Sequence, residues 1–271
     1  MRTSKTSLRV AVMRFYPPHQ ELSTSESIKP YGVFGHYMPV PVESLTSFKL
    51  WPGLKASEVN GRMPVMPEQD EPAWVILNPN HEDGLKKQMD ALNFHFIPES
   101  VPKSVSIDDS KGPICIDERA IIGECVRIEG PCYIGPNVDV RHAAYIRPYT
   151  WLCENSVVGH ASEVKHSLFL PGAKAPHFNY VGDSILGRDV NLGAGCKLSN
   201  LRNDGRSVLV RGLKGGAIDS GIRKFGAILG DGVAIGCNAV TNPGVILGAQ
   251  CNVWPNVTVS GAHAANTTIK K

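Results

Sequence analysis

From Ile116 onward an aliphatic residue returns at every sixth position: Ile116, Ile122, Ile128, Ile134, Val140, Ile146, Leu152, Val158, Val164 and Leu170. Aliphatics of this kind make up about a quarter of an average chain, so ten hits in a row are not chance. Four residues after a hit the side chain is mostly small, as at Ala120, Val126, Cys132, Val138, Ala144, Thr150, Ser156 and Ser162. The frame resumes at Leu186, Leu192 and Leu198, and again at Leu229, Ile235, Thr241, Leu247, Val253 and Val259. Neither a helix nor a hairpin has a six-residue period. A parallel β-helix does: short strands form the flat sides of a triangular coil, the aliphatic points to the axis, and three sides take about 18 residues. The small residue is needed because each short side sends two side chains into a narrow interior. The expected fold is therefore mainly β, a parallel β-helix of hexapeptide repeats over residues 111–271.

Residues 1–110 carry no such period. They hold clusters such as YPP, MPVPVES and RMPVMPEQDEP, one strand-like run (AWVILNP) and a short helical candidate (HEDGLKKQMDALNF). The expectation is a small N-terminal α/β or irregular domain that leans on the first coil, since a solenoid's open end needs a cap. It has no Gly-rich phosphate loop of Walker or dinucleotide type.

Composition limits the function classes. The formal charge is +3 over 271 residues, with no dense basic run, so nucleic acid is not an expected partner. The amino terminus has no apolar stretch of signal-peptide length, and no window approaches the roughly 20 apolar residues of a membrane span. Seven cysteines without a CxxC pair indicate neither a disulfide framework nor a zinc ribbon, and a reducing cytoplasm is the expected location. Cys132, Cys196 and Cys251 fall at inward positions as small hydrophobes. Cys237, at a turn after Gly236, does not.

Two stretches break the ladder and read as inserted loops, at about 171–185 and 203–228. The first contains KAPHFNYVGDS, with one Lys, one His, one Tyr and one Asp. The second carries Arg206, Arg211, Lys214, Arg223 and Lys224 against Asp204 and Asp219. Such a basic loop suits a phosphate or nucleotide diphosphate, or is simply a solvated loop.

The runs YIRPYTWL and VGHASEVKHSLFLPGAKAPHFNYVGDSILGRDVNLGAGCKLSN resemble the acetyltransferase domain of the bifunctional N-acetylglucosamine-1-phosphate uridylyltransferase/glucosamine-1-phosphate acetyltransferase. GAIDSGIRKFGAILGDGVAIGCNAV resembles archaeal-type sugar-phosphate nucleotidylyltransferases that carry the same acyltransferase half. No Gly-rich nucleotide loop accompanies them, and the stretch ahead of the repeats is too short for the uridylyltransferase half, so nucleotidyl transfer is not expected. The resemblance implies a left-handed β-helix, a homotrimer with its site in the cleft between neighbouring coils, and acyl transfer from an acyl-CoA, acetyl-CoA first, to an amino-sugar phosphate such as glucosamine 1-phosphate. By that resemblance His177 is the general base and Asn200 orients the thioester. Arg147, Lys165 and Lys224 hold the phosphate, and Tyr180 and Asn191 hold the sugar. Ala194 approaches the acyl carbonyl through its backbone, and Cys237 contacts the coenzyme. No metal is implied. Two departures bear on the donor: Leu201 replaces an aromatic beside Asn200, and the basic carboxy-terminal arm has no clear match in AHAANTTIKK. Another acyl-CoA or an acyl carrier protein therefore stays open.

The constellation is chemically sensible by itself. Acyl transfer from a thioester to an amine needs a proton acceptor and donors for the developing oxyanion, while cations fix an anionic acceptor. Gly193-Ala194-Gly195 permits close backbone approach. Two readings from other classes compete. One is a non-catalytic sugar-phosphate or nucleotide-binding scaffold. The other is a trimeric metal enzyme of carbonic anhydrase type using His142, His160 and His177, which recur close to once per coil.

Overall fold

Isolated two- and three-residue strands have no stability of their own; stacking supplies it. The computed structural model describes residues 39–270 apart from 53, 69 and 70, together with the backbone but not the side chain of residue 48. The described residues lie within one compact unit, residues 37–271. Three parallel eight-stranded sheets form the sides of a triangular prism. Each strand pairs with the one a full coil later, as Cys115 with Tyr133 and Tyr133 with Trp151. Ile116, Ile128, Ile134, Val140, Ile146, Leu152, Val158 and Val164 line the axis and are fully buried, and so are the small partners Val126, Val138, Thr150 and Ser156. Each buried aliphatic contributes about 1.5–3 kcal/mol before the entropy of ordering is subtracted. Corners are turned through left-handed backbone at residues such as Asn137, Asn155, Asn238 and Asn256, where Asn is the favoured non-glycine residue. The chain is a left-handed parallel β-helix of hexapeptide repeats. Its first strand, Ser106–Asp108, begins slightly before the expected boundary at 111.

The first break is not an insertion. Residues 171–185 form a regular coil, with strands Lys174–His177 and Tyr180–Gly182 leading to Ile185–Leu186. What changes is phase. Leu152 pairs with Phe169 and Phe169 with Leu186, and each step is one residue shorter than the step from Ile134 to Leu152. The axial residue after Val164 is thus Phe169, five positions on, and the one after Val181 is Leu186, again five on. Leu170 is also buried, but it is not the next step of the ladder. Two successive coils each lack one residue at the same corner, and there the chain turns on His166 and Asp183, both with positive φ (43° and 47°).

The second break leaves the coil. Ile185 pairs with Ile228, so this turn of the prism takes up far more chain than its neighbours. The extra chain holds an antiparallel hairpin, Leu209–Leu213 with Gly216–Asp219.

Residues 39–100 do not lean on the first coil alone; together with the hairpin, whose first strand packs on Val245–Leu247 and Ala262–His263, they run along one side of the prism, called here the covered side (Ile114–Ile116 through Ala262–His263). Trp51 Nε1 donates to the carbonyl of Leu229 at 3.0 Å. The Arg62 N–H donates to the Tyr133 hydroxyl, and Trp151 Nε1 donates to the Arg62 carbonyl. The chain returns to pack Trp74 on Phe225. It then passes Tyr149, over whose ring Lys86 sits, and ends at Phe96, bridged to Cys115. The outward residues beneath this strap and the hairpin, Tyr133, Trp151, Leu168, Ile185, Ile228 and Ile246, are consequently buried. The strand-like run proves to be a 3-10 helix, Ala73–Leu77, because Pro72 and the packing of Trp74, Ile76 and Leu77 favour a tight turn over sheet pairing. The helical candidate forms only over Leu85–Asp90. No helix among the described residues is long and apolar enough to cross a membrane. All seven cysteines are free thiols, with Cys132, Cys196 and Cys251 buried and Cys237 exposed.

Candidate active site

The second side of the prism carries Tyr145–Ile146, Glu163–Lys165, Tyr180–Gly182 and Lys197–Leu198. At its edge against the covered side lie the two shortened corners, and here a cavity of about 490 Å³ opens. Its wall is built from three directions: Arg147, Lys165, His166 and Asp183 from successive coils, Arg223 and Lys224 from the end of the inserted segment, and residues 77–80 and 86 from the strap. The three residues expected to hold phosphate, Arg147, Lys165 and Lys224, are therefore brought to one cavity.

Asp183 is the hub. It is 3% exposed and accepts from Lys165 Nζ at 3.2 Å, from His166 Nδ1 at 2.8 Å and from the Asn200 amide. Burial pushes its carboxyl up. The hydrogen bond from His166 and the charges of His166 and Lys165 outweigh that, and it is held below the usual carboxylate range. Arg147 donates to Glu163 at 2.6 Å. Two buried side-chain nitrogens in the wall, Arg147 Nε and His166 Nε2, have no hydrogen-bond partner among the described residues. A buried donor left without a partner costs about 1–3 kcal/mol, which a bound water, ion or ligand would relieve.

Tyr180 is half-buried, and burial together with the Asp183 and Glu163 charges raises its phenol. The Tyr180 hydroxyl and the Asn200 amide both lie over Gly182, where a Cβ would sit 2.6 and 2.7 Å from them. Glycine is required by that close approach. Asn200 thus belongs to the Asp183 network, with its amide nitrogen already engaged.

His177, Asn191, Ala194 and Cys237 lie elsewhere, on the third side and at its corner with the second. His177 ends its strand in register with His160 and is exposed. Its N–H donates to Asn179 Oδ1, its carbonyl accepts from Gly195, and the Asn179 amide reaches the Gly193 carbonyl. Asn179, 2% exposed, is a residue that sequence reasoning missed, although a polar amide at an inward small-residue position was a usable signal. Within Gly193-Ala194-Gly195 the two glycine N–H groups are spent on Ile235 and His177 carbonyls. The Ala194 N–H has no acceptor among the described residues, so it is available to an oxyanion. Cys237 stacks one coil further, where the Asn238 N–H donates to the Ala194 carbonyl.

His166 is the other residue that sequence reasoning missed; the shift in phase beside it was the signal. His142 and His160 stack with ring centroids 5.4 Å apart, but Phe178, not His177, packs edge-on against His160. Among the described residues no group of three or more His, Cys, Asp or Glu side chains is placed to hold a metal ion.

A hexapeptide β-helix whose corners gather cations around one cavity defines the class. The chain belongs to the family of the GMPPB C-terminal domain, whose model matches residues 128–269. It is 41% identical over 187 residues to a bifunctional sugar-1-phosphate nucleotidylyltransferase/acetyltransferase of Sulfurisphaera tokodaii, covering 69% of this chain and 44% of that one. It is 38% identical over 198 residues to the bifunctional protein GlmU of Methanocaldococcus jannaschii, covering 73% and 46%. The chain thus spans less than half the length of these relatives. Among solved structures, a Francisella novicida UDP-N-acetylglucosamine acyltransferase is similar at 17% identity and a TM-score of 0.22, over 59% of this chain and 60% of that one.

Proposed function

We propose that the chain is an acyl-CoA-dependent N-acyltransferase acting on an amino-sugar phosphate, with acetyl-CoA as donor and glucosamine 1-phosphate as the first acceptor to test. One observation carries this reading: a cationic cavity at one edge of the second side and His177 at the other, separated by the three-residue strand Tyr180–Gly182. The names of the two bifunctional relatives support the same class.

In this reading Arg147, Lys165 and Lys224 bind the phosphate, and the sugar lies over Tyr180 with Asn191 beside it. The amine then meets the thioester at the His177 corner. The amine nitrogen attacks the thioester carbonyl and loses a proton to the His177 imidazole, while the Ala194 N–H stabilises the oxyanion. Collapse breaks the carbon–sulfur bond, and the departing thiolate takes the proton back from His177. Asn200 orients the site through Asp183, and Cys237 lies along the path of the coenzyme. A homotrimer, with the site completed beside a neighbouring subunit, and a cytoplasmic location belong to the same proposal.

The test is release of free thiol from acetyl-CoA with glucosamine 1-phosphate. Turnover is expected in the wild type and a loss of about 10²-fold or more in His177→Ala. A folded protein that binds the sugar phosphate yet releases no thiol with any acyl donor would instead be a binding scaffold.

A further inference from the structure

Six cations line the cavity against two carboxylates, Glu129 and Asp183. Both carboxylates are already engaged, Glu129 by Arg127 and Tyr145, Asp183 by Lys165, His166 and Asn200. The cavity is therefore built for an anion carrying more than one charge. His166 is 7% exposed, and its position is over-determined. Nδ1 faces Asp183 at 2.8 Å, and an ionised carboxylate only accepts, so Nδ1 carries a hydrogen. The remaining nitrogen, Nε2, is buried without a partner among the described residues, in a ring that lines the cavity. In the neutral ring Nε2 is a lone pair, which repels anionic oxygens; in the protonated ring it is a charged donor, which binds them strongly.

We propose that His166, positioned by Asp183, is a ligand for the acceptor's phosphate, and that the dianion and a proton on Nε2 bind together. The identity of the anion rests on the acceptor reading above; the proton linkage does not. Charged and titratable groups meet His166 from every direction. Asp183 comes from the following coil and Arg147 from the preceding one, and Lys165 adjoins it in the chain. Tyr149 stands edge-on at 6.0 Å between ring centroids, and Lys86 of the strap lies over the Tyr149 ring. Arg223 and Lys224 come from the inserted segment. A phosphate site of fixed cations alone would bind with no such linkage, so the histidine makes affinity for the acceptor depend on pH in the neutral range.

Sulfate isolates the effect because it stays doubly charged where phosphate titrates. Sulfate binding to the full chain is measured by calorimetry between about pH 5.5 and 8.5, at each pH in two buffers of different ionisation heat. The expected result is uptake of a proton on binding, and affinity that falls by up to about tenfold per pH unit toward the alkaline end. His166→Asn keeps an amide N–H for Asp183 but has no second ring nitrogen. It is expected to bind sulfate more weakly at low pH, with no proton uptake and a flat pH profile. The wild-type proton count decides the matter by itself should the variant not fold. No sulfate binding, wild-type binding without proton uptake, or uptake that persists in a folded His166→Asn protein each overturns the proposal. Displacement of sulfate by glucosamine 1-phosphate supports the assignment to the acceptor; displacement by coenzyme A alone refutes it. If sulfate behaves as expected and no acyl transfer is found, the acyltransferase reading fails while the proton-linked anion site stands.

Discussion

Removing Trp51 tests whether the strap holds the covered side or merely lies on it. The ring is 2% exposed, and its Nε1–H reaches the Leu229 carbonyl at 3.0 Å. Trp51→Ala empties a large aromatic site, a change that costs about 3–5 kcal/mol. The lost hydrogen bond adds little, because the Leu229 carbonyl still accepts from the Gly187 N–H at 2.8 Å and is not left bare. About 4 kcal/mol is a large share of the 5–15 kcal/mol that stabilises a typical domain. Cooperative unfolding would lower Tm by about 10 °C for a chain of this size. A strap that opens before the coil would show instead as amide exchange in residues 45–62 faster by about two to three powers of ten. Circular dichroism melts read the first and hydrogen exchange with mass spectrometry the second. Trp254→Ala is the control, since Trp254 is 50% exposed and its loss should matter by no more than about 0.5 kcal/mol. If Trp51→Ala and Trp254→Ala melt and exchange alike, the strap does not carry the stability assigned to it.

Gly159→Ala should be among the most damaging single changes: its Cβ would lie 1.6 Å from the Pro176 carbonyl oxygen of the next coil. That backbone cannot rotate away, so a loss above about 4 kcal/mol in a urea titration is expected, against about 1 kcal/mol for Gly215→Ala, where the added atom meets nothing within 4 Å but φ is +87°. Of the seven thiols, Cys125 and Cys237 are exposed and should react with a thiol reagent in the folded protein. The buried thiols should not, with those of Cys115 and Cys196 pushed up to about 11 chiefly by burial. Coenzyme A should slow modification of Cys237 and leave Cys125 unchanged; equal protection of both would remove Cys237 from the donor path.

The coil was legible because one aliphatic per hexapeptide is a local rule, set by a narrow axis whose other inward positions take only small side chains. Its exceptions were legible too, but their meaning was ambiguous. A ladder that fails after Leu170 reads equally as an insertion or as a change of phase, and only strand pairing separates them. Phe169 beneath Leu152 shows that a residue was lost at the corner, not that a loop was added. The missing residue brings His166 and Asp183 to equivalent corners of successive coils, and this is why motifs alone point to His177 and Lys165 but pass over their neighbour. The N-terminal segment was illegible for another reason. It has no period because it makes no repeat of its own; it conforms to a surface that the repeat presents.

That surface was nevertheless written in the sequence. On the covered side the residue before each axial aliphatic is itself apolar, from Tyr133 and Trp151 through Leu168, Ile185, Ile228 and Ile246. At the corresponding position on the other two sides Arg127, Asp139, Glu163, Lys174, Asn191 and Lys197 are interspersed with Ile121, Tyr145, Val157, Tyr180, Ala234 and Val240, so no unbroken apolar stripe runs down either. An apolar stripe recurring once per coil demands a cover, and the two described stretches without repeats, the strap and the inserted hairpin, supply it. The same contact builds the site. Residues 77–80 and Lys86 of the strap line the cavity at the two shortened corners, so the segment that buries the stripe also walls the cavity. With one side occupied, the second and third sides are left for everything else. They carry the cationic cavity and the His177 corner on either side of the strand Tyr180–Gly182, so any molecule that uses both must lie across that strand.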